Sequence, residues 1–363
     1  MKTIVTFGEI MGRLCPPAFQ RFRQNMPGSL NMTFSGAEAN VAASLSMLGG
    51  RSRFVTALPE NDLTYACIAN LKGLGIDTSG IKIRKEGRFG LYFVERGANQ
   101  RPSKVIYDRE YSTVSLTPGA VYDWEKTFAD AGWLHVTGIT PALSKTAAEA
   151  SLMALQAAKK VGLTTSTDLN FRKNLWKWKA GTDPKALSEE TMRGLLPYID
   201  VVIGNEGDAH DVLGISAENT DVEGGKLDAM KYKEVAKEVV NQFPNVQKVA
   251  ITLRESISAS HNNWGAMLYD VQTDQAHFAP ELDGEYSPYE IRDIVDRVGG
   301  GDSFGAGLIF ALNTAELSAP EDALRFAVAA SCLKHSINGD FNFNSRSEVE
   351  RLMGGNASGR VIR

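Results

Sequence analysis

Asp296-Arg297-Val298-Gly299-Gly300-Gly301-Asp302-Ser303-Phe304-Gly305-Ala306-Gly307 joins three consecutive glycines to an aspartate and then to an apolar, helix-like run. Glycines let backbone N–H groups approach an anion with no Cβ in the way. A helix N-terminus adds unpaired donors and the positive end of a dipole. Asp302 is the one strong base beside those amides. Amides for a phosphate with a carboxylate next to them can move a phosphoryl group onto a hydroxyl. The same segment also reads as a tight turn capped by Asp302, since aspartate is a favoured N-cap. It is not a P-loop, because no Lys-Ser/Thr pair follows the glycines, and it lacks the context of a dinucleotide fingerprint.

Other polar clusters follow candidate strands. Gly36-Ala37-Glu38-Ala39-Asn40 opens a helical stretch, with Gly36 allowing close approach to the backbone and Asn40 in the first turn. Asp168-Leu169-Asn170-Phe171-Arg172 ends a strand, and the Arg172 guanidinium suits a carboxylate or phosphate, with a surface ion pair as the plainer alternative. Asn205-Glu206-Gly207-Asp208 follows another strand. Its carboxylates could hold hydrated Mg²⁺ or simply complement a helix dipole. Tyr107 and Arg109 are two apart in an extended segment and would share a face. Tyr92 could join them across a hairpin, or form only an ordinary cross-strand pair.

These clusters need a frame. Strand candidates at 4–7, 53–57, 133–136, 164–168, 201–203 and 248–252 alternate with apolar-periodic stretches at 39–48, 64–74, 147–161 and 233–243. That rhythm predicts an α/β, doubly wound, mostly parallel sheet with ligands at the carboxyl ends of its strands. Segments 14–34 and 87–114 break the rhythm. The first shows no helix pattern and the second is extended, which predicts a small β-sheet lid or edge strands of the main sheet. Residues 216–231 read as a surface loop, and the span 259–263 as a long loop.

The 363 residues, 43% hydrophobic, could form one large domain or two. With 39 basic and 43 acidic residues the formal charge is −4, so no field recruits nucleic acid or an anionic membrane. No apolar run approaches the roughly 18 residues of a membrane-spanning helix. Cys15, Cys67 and Cys332 are scattered, without disulfide or zinc spacing, and a reduced cytoplasm is the expected compartment.

Taken together the segments resemble the ribokinase-like (pfkB) carbohydrate kinases. The C-terminal signature of that family is matched by Asp296-Arg297-Val298-Gly299-Gly300-Gly301-Asp302-Ser303-Phe304, and its N-terminal glycine motif by Gly36-Ala37-Glu38-Ala39-Asn40-Val41-Ala42. The branch resembled is the 2-keto-3-deoxygluconate kinases. It is carried by Gly90-Leu91-Tyr92, Tyr107-Asp108-Arg109, the run from His135 to Ser144, and Asp168-Leu169-Asn170-Phe171-Arg172.

The resemblance implies a single ribokinase-like domain over 1–363, with lid segments at about 14–34 and 87–114. It implies ATP and Mg²⁺ as cofactors and a small-molecule sugar acid as acceptor. In that reading Asp302 is the base, and Gly299, Gly300 and Gly301 supply amides to the transferred phosphoryl group. An ordinary carboxylate pKa would be adequate for such a base. Gly36, Asn40, Tyr92, Tyr107, Arg109 and Arg172 hold the sugar acid. Asn205, Thr252, Arg254 and Asn338 attend the nucleotide, with Asp208 at the metal. A homo-oligomer through the lid is a further implication. Three segments depart from the family pattern: Arg254 stands for a lysine and the glycine that should follow it is absent, Asp208 stands for a longer glutamate, and Arg297 for threonine or proline. A kinase of another sugar, fructose or ribose for example, and a non-catalytic sugar-binding protein are the alternatives; a Rossmann oxidoreductase is disfavoured.

Overall fold

The computed structural model describes residues 1–205, 207–216 and 231–356. Glu206 and positions 217–230 of the surface-loop expectation lie outside them. The strands that concern the site are β1 (Thr3–Phe7), β2 (Met11–Cys15), β3 (Asn31–Ser35), β4 (Ser52–Pro59), β5 (Ile81–Arg84), β6 (Gly90–Glu95), β7 (Lys104–Asp108), β8 (Ala131–Thr137), β9 (Thr164–Asp168), β10 (Val201–Asn205), β11 (Lys248–Ser258), β12 (His261–Asp270) and β13 (Gln275–Ala279). A ten-stranded sheet runs in the order β13-β12-β11-β10-β9-β8-β1-β4-β5, with Tyr289–Ile291 also paired to β12. From β5 to β11 every pairing is parallel.

Sequence explains the layering. In β1 every residue of Thr-Ile-Val-Thr-Phe is buried, as a strand covered on both faces requires. Val5 and Phe7 pack to one side with Leu134, Val136 and the alanines of the Lys145–Lys160 helix. Ile4 packs to the other side with Val41, Leu45, Phe304 and Leu308 from the Ala37–Met47 and Gly300–Leu312 helices. Ser144 caps the Lys145–Lys160 helix by accepting from Ala147 N at 3.0 Å. The Gly300–Leu312 helix is buried nearly all round, and a Cβ on Gly307 would stand 2.9 Å from Ala327 Cα. Only glycine permits that approach to the Pro320–Lys334 helix.

The lid is a separate four-stranded sheet in the order β3-β2-β6-β7. It begins at Met11, earlier than the expected position 14, and contains one short helix, Phe22–Asn25, where none was expected. Alternation explains the early start. Met11, Arg13 and Cys15 fall on one face of β2 and Gly12 and Leu14 on the other. The span 259–263 is not a long loop. Strand β11 continues to Ser258 and β12 starts at His261, so only Ala259 and Ser260 turn the chain. Its asparagines look like loop residues, but Asn262 is wholly buried and pairs opposite Ser256. Among the described residues no helix is long and apolar enough to cross a membrane, and all three cysteines are free.

Candidate active site

A cleft of about 340 Å³ opens where the carboxyl ends of β1, β8, β9, β10 and β11 face the inner side of the lid. It is lined by Gly36, Asn40, Tyr92, Tyr107, Arg109, Arg172, Asn205, Asp208, Thr252, Arg254 and Gly299 through Asp302. The structure thus gathers every candidate site residue except Asn338. Asn338 is exposed, and its amide oxygen accepts from Arg96 at 2.7 Å. The turn after the Pro320–Lys334 helix sends Asp340 into the cleft instead.

The glycine run is shaped for an anion. Gly299 has φ +84°, and a Cβ there would stand 2.2 Å from the Asp340 carbonyl oxygen, so both conformation and space require glycine. The helix starts at Gly300. The Gly300 amide donates to the Arg297 carbonyl at 3.3 Å and closes the turn. The amides of Gly299, Gly301 and Asp302 meet no acceptor among the described residues. The free donors at this helix N-terminus are therefore shifted from the expected trio: Gly300 is spent, and Asp302 contributes its own N–H.

The Asp302 carboxylate is fixed by Asn40, whose Nδ2 donates to Oδ2 at 2.6 Å. Asn40 Oδ1 accepts in turn from Gly36 N at 3.3 Å. Burial pushes the Asp302 carboxyl up to about 6, with Asp340 adding to the rise and Asn40 opposing it. The ordinary pKa expected for this group is thus replaced by one just below neutrality. A carboxylate there is ionised at pH 7 yet more basic than a solvated one. Asp168, Asp208 and Asp302 share this end of the cleft. Burial, then Asp208 and Asp302, hold the Asp168 carboxyl well above its usual range, while Arg172 opposes.

Arg172 reaches the cleft because Asn170 turns the chain at φ +42°. Its guanidinium is exposed, donates only to the Phe171 carbonyl at 2.8 Å, and forms no ion pair among the described residues. Arg109 differs. It is buried, donates through Nε to Glu9 Oε2 at 2.7 Å, and lies 5.4 Å from the Tyr107 ring centre. Tyr92 pairs opposite Tyr107, their rings 6.2 Å apart, and its hydroxyl donates to Asp340 Oδ2 at 2.5 Å. The lid thus brings Tyr92, Tyr107 and Arg109 together as expected, with two of their polar ends already engaged.

Asn205 Oδ1 accepts from the amides of Gly207 and Asp208 at 2.8 and 3.1 Å, leaving its amide N–H₂ toward the cleft. The shorter Asp208 folds back: its oxygens accept from Phe171 N at 3.1 Å and Asn205 N at 2.9 Å. Thr252 is buried at the cleft wall, and Arg254 beside it is exposed with no ion pair among the described residues. Among those residues no cluster of three or more metal-ligating side chains forms. The carboxylates of Asp208 and Asp168 suit a cation brought largely by phosphates and water, which is how Mg²⁺ is held in phosphoryl-transfer sites.

Four residues outside the sequence candidates also shape the cleft. Glu38 is buried, and its Oε1 accepts from Thr137 N, Thr137 Oγ1 and Thr140 Oγ1 at 2.7–3.1 Å. That contact gives the run from His135 to Ser144 its part in the site. Burial pushes the Glu38 carboxyl up to about 7. Glu9 Oε1 is buried without a partner among the described residues. Asp340 gathers Ser35, Tyr92 and Arg13, and Arg13 also donates to Asp296 at 2.5 Å. The polar pair Gly339-Asp340, set just after a helix, was the available signal for Asp340; the partners of Glu9 and Arg13 lie too far along the chain for any local signal.

The comparisons with known proteins agree with this geometry. Residues 1–342 match the model of the pfkB family carbohydrate kinases. The chain is 30% identical over 356 residues to 2-dehydro-3-deoxygalactonokinase of Haloferax volcanii, covering 98% of each. It is 42% identical to the crystal structure of 2-dehydro-3-deoxygluconokinase from Thermotoga maritima, with a TM-score of 0.86 over 98% of this chain and all of that one. A pfkB family carbohydrate kinase from Listeria grayi superposes with a TM-score of 0.83 at 30% identity, over 97% of this chain. With the family signature seated at the cleft and the match running through both sheets, the chain belongs to the pfkB family of carbohydrate kinases and is an ATP-dependent sugar kinase.

Proposed function

We propose that the enzyme transfers the γ-phosphate of ATP to the terminal hydroxyl of a six-carbon keto-deoxy sugar acid, with 2-keto-3-deoxygluconate (2-dehydro-3-deoxygluconate) as substrate and its 6-phosphate as product. The observation that carries the acid substrate is Arg172, an exposed guanidinium in the cleft that forms no ion pair among the described residues. A sugar carboxylate supplies that partner in a planar two-bond geometry. The names of the relatives from Haloferax volcanii and Thermotoga maritima support the same substrate class.

In this reading Asp302 accepts the hydroxyl proton as that oxygen attacks the γ-phosphorus and ADP leaves. The amides of Gly299, Gly301 and Asp302 receive the charge on the transferred oxygens. Catalysis then rests on position and fixed dipoles. Asn40 orients the base. Glu9 Oε1 would take a sugar hydroxyl, which completes its hydrogen bonding, and Tyr107 would lie over the sugar. Arg109 shapes the same wall through its pair with Glu9. Asn205, Thr252 and Arg254 face the nucleotide, and Asp208 would hold hydrated Mg²⁺, which neutralises phosphate charge when bound.

The lid excludes water and limits ATP hydrolysis in this reading. Its outer edge also favours a homo-oligomer. All five residues of β7 are exposed, and Met32 and Ile106 are exposed on the lid. An open strand edge invites pairing. Sedimentation of wild type and Ile106→Asp tests this: a lid dimer dissociates in the variant, whereas unchanged assembly counts against it. Reliance on ATP fits a cytoplasmic enzyme. The substrate assignment is tested by ADP release with ATP and a panel of sugars and sugar acids; preference for neutral sugars would overturn it.

A further inference from the structure

Arg297 stands where the family signature carries a small residue, immediately before the glycine turn. It lines the cleft together with Arg254 and Gly299 through Gly301. Its Nη2 donates to the carbonyls of Ser258 and Ala259 at 2.9 and 2.8 Å and to Asn262 Oδ1 at 3.4 Å. Its Nε and Nη1 have no acceptor among the described residues, and no carboxylate forms an ion pair with it there. The neighbouring Asp296 acts on Arg297 only without contact, since its oxygens accept from Arg13, Val298 N and Gly339 N.

Arg254 likewise forms no ion pair among the described residues. Both line the cleft and act on each other: burial, then Arg254, lowers the Arg297 pKa, with Asp296 opposing. Two like charges in a partly dry cleft repel, and Asp296 offsets only part of that within this chain. A polyanion removes the repulsion. The amides of Gly301 and Asp302 beside them have the same preference.

We propose that Arg297 is a second ligand for the phosphate chain of the nucleoside triphosphate, paired with Arg254, and that the two guanidiniums take up the charge left on the departing diphosphate. The proposal rests on the kinase reading above and adds to it a residue outside the family pattern. Arg297 stands on an anchored base. The turn it grips is bonded to the lid tip, with Ala259 N donating to Asn99 O at 2.7 Å and Asn99 N donating to Ser260 Oγ at 3.0 Å. Its free nitrogens are therefore held at the junction of the nucleotide side and the lid.

The test compares Arg297→Lys and Arg297→Gln with wild type, measuring KM for ATP, KM for the sugar acid and kcat, with melting curves as a fold check. Glutamine keeps an amide donor for the Ser258 and Ala259 carbonyls but removes the charge; lysine keeps the charge. A phosphate ligand predicts an ATP KM raised roughly tenfold or more in Arg297→Gln, clearly less in Arg297→Lys, and a sugar KM within about twofold of wild type in both. Binding of a non-hydrolysable ATP analogue without sugar should weaken in the same order. Equal losses in the two variants, or losses confined to the sugar KM, overturn the proposal and leave Arg297 as a brace or a sugar contact. Wild type inactive on every sugar with ATP would instead sink the kinase reading itself.

Discussion

Asn40 Nδ2 lies 2.6 Å from Asp302 Oδ2, joining the first turn of one helix to the first turn of another across 262 positions of sequence. The bond favours the ionised carboxylate, against burial, which favours the protonated one. Removing it in Asn40→Ala should raise the Asp302 pKa further. The acidic limb of the kcat profile then moves to higher pH than in wild type, and kcat falls at pH 7. A profile that scales down without shifting would show that Asn40 does not tune this carboxylate.

The wild-type profile follows from the same carboxyl. Activity should fall below about pH 6, with a slope of one proton, as Asp302 protonates. Stability moves the opposite way. The folded pKa lies above the ordinary 3.8, so the fold disfavours the charged form. Wild type should melt below Asp302→Asn at pH 8, and the gap should narrow as pH falls from about 6 toward the ordinary 3.8. Melting curves of the two proteins from pH 4 to 8 check it.

Arg172→Ala should raise the KM for a keto-deoxy sugar acid by roughly 10- to 100-fold, the worth of a charge-assisted bidentate contact. The KM for the corresponding neutral sugar alcohol, however high, should not change. Equal effects on acid and neutral acceptors would assign Arg172 to the nucleotide or to the fold.

Arg13 lies between Asp296 and Asp340, all three buried. Arg13→Met strands two carboxylates in the core and should destabilise the protein by about 3–5 kcal/mol in urea unfolding. Adding Asp340→Asn should recover part of that loss. Additive losses in the double variant would mean the three side chains do not act as one network.

These long-range bonds also mark the limit of what sequence alone conveys. The ends of β1, β8, β9, β10 and β11 were legible, because buried parallel strands read as short β-branched runs closed by polar residues. Asp302, Asn40 and Arg172 were legible because their segments carry a family pattern. Arg13 meeting Asp340 across 327 positions was not, since only the folded topology brings the lid onto the segment beside the glycine turn. Strand β12 hid behind polar residues such as Asn262 and Asn263, which pair with β11 where a loop was expected. The engaged side chains of Tyr92, Arg109 and Asp208 show the complementary effect: residue type announced a ligand, while the fold had already given part of each group a protein partner.

The most direct test is ADP release by wild type and Asp302→Asn with ATP, Mg²⁺ and a panel of sugars and sugar acids. Wild type should turn over a six-carbon keto-deoxy acid in preference to neutral sugars, and Asp302→Asn should lose about a thousandfold in kcat while remaining folded. Equal turnover by the two proteins would contradict Asp302 as the base, and preference for a neutral sugar would contradict the acid substrate.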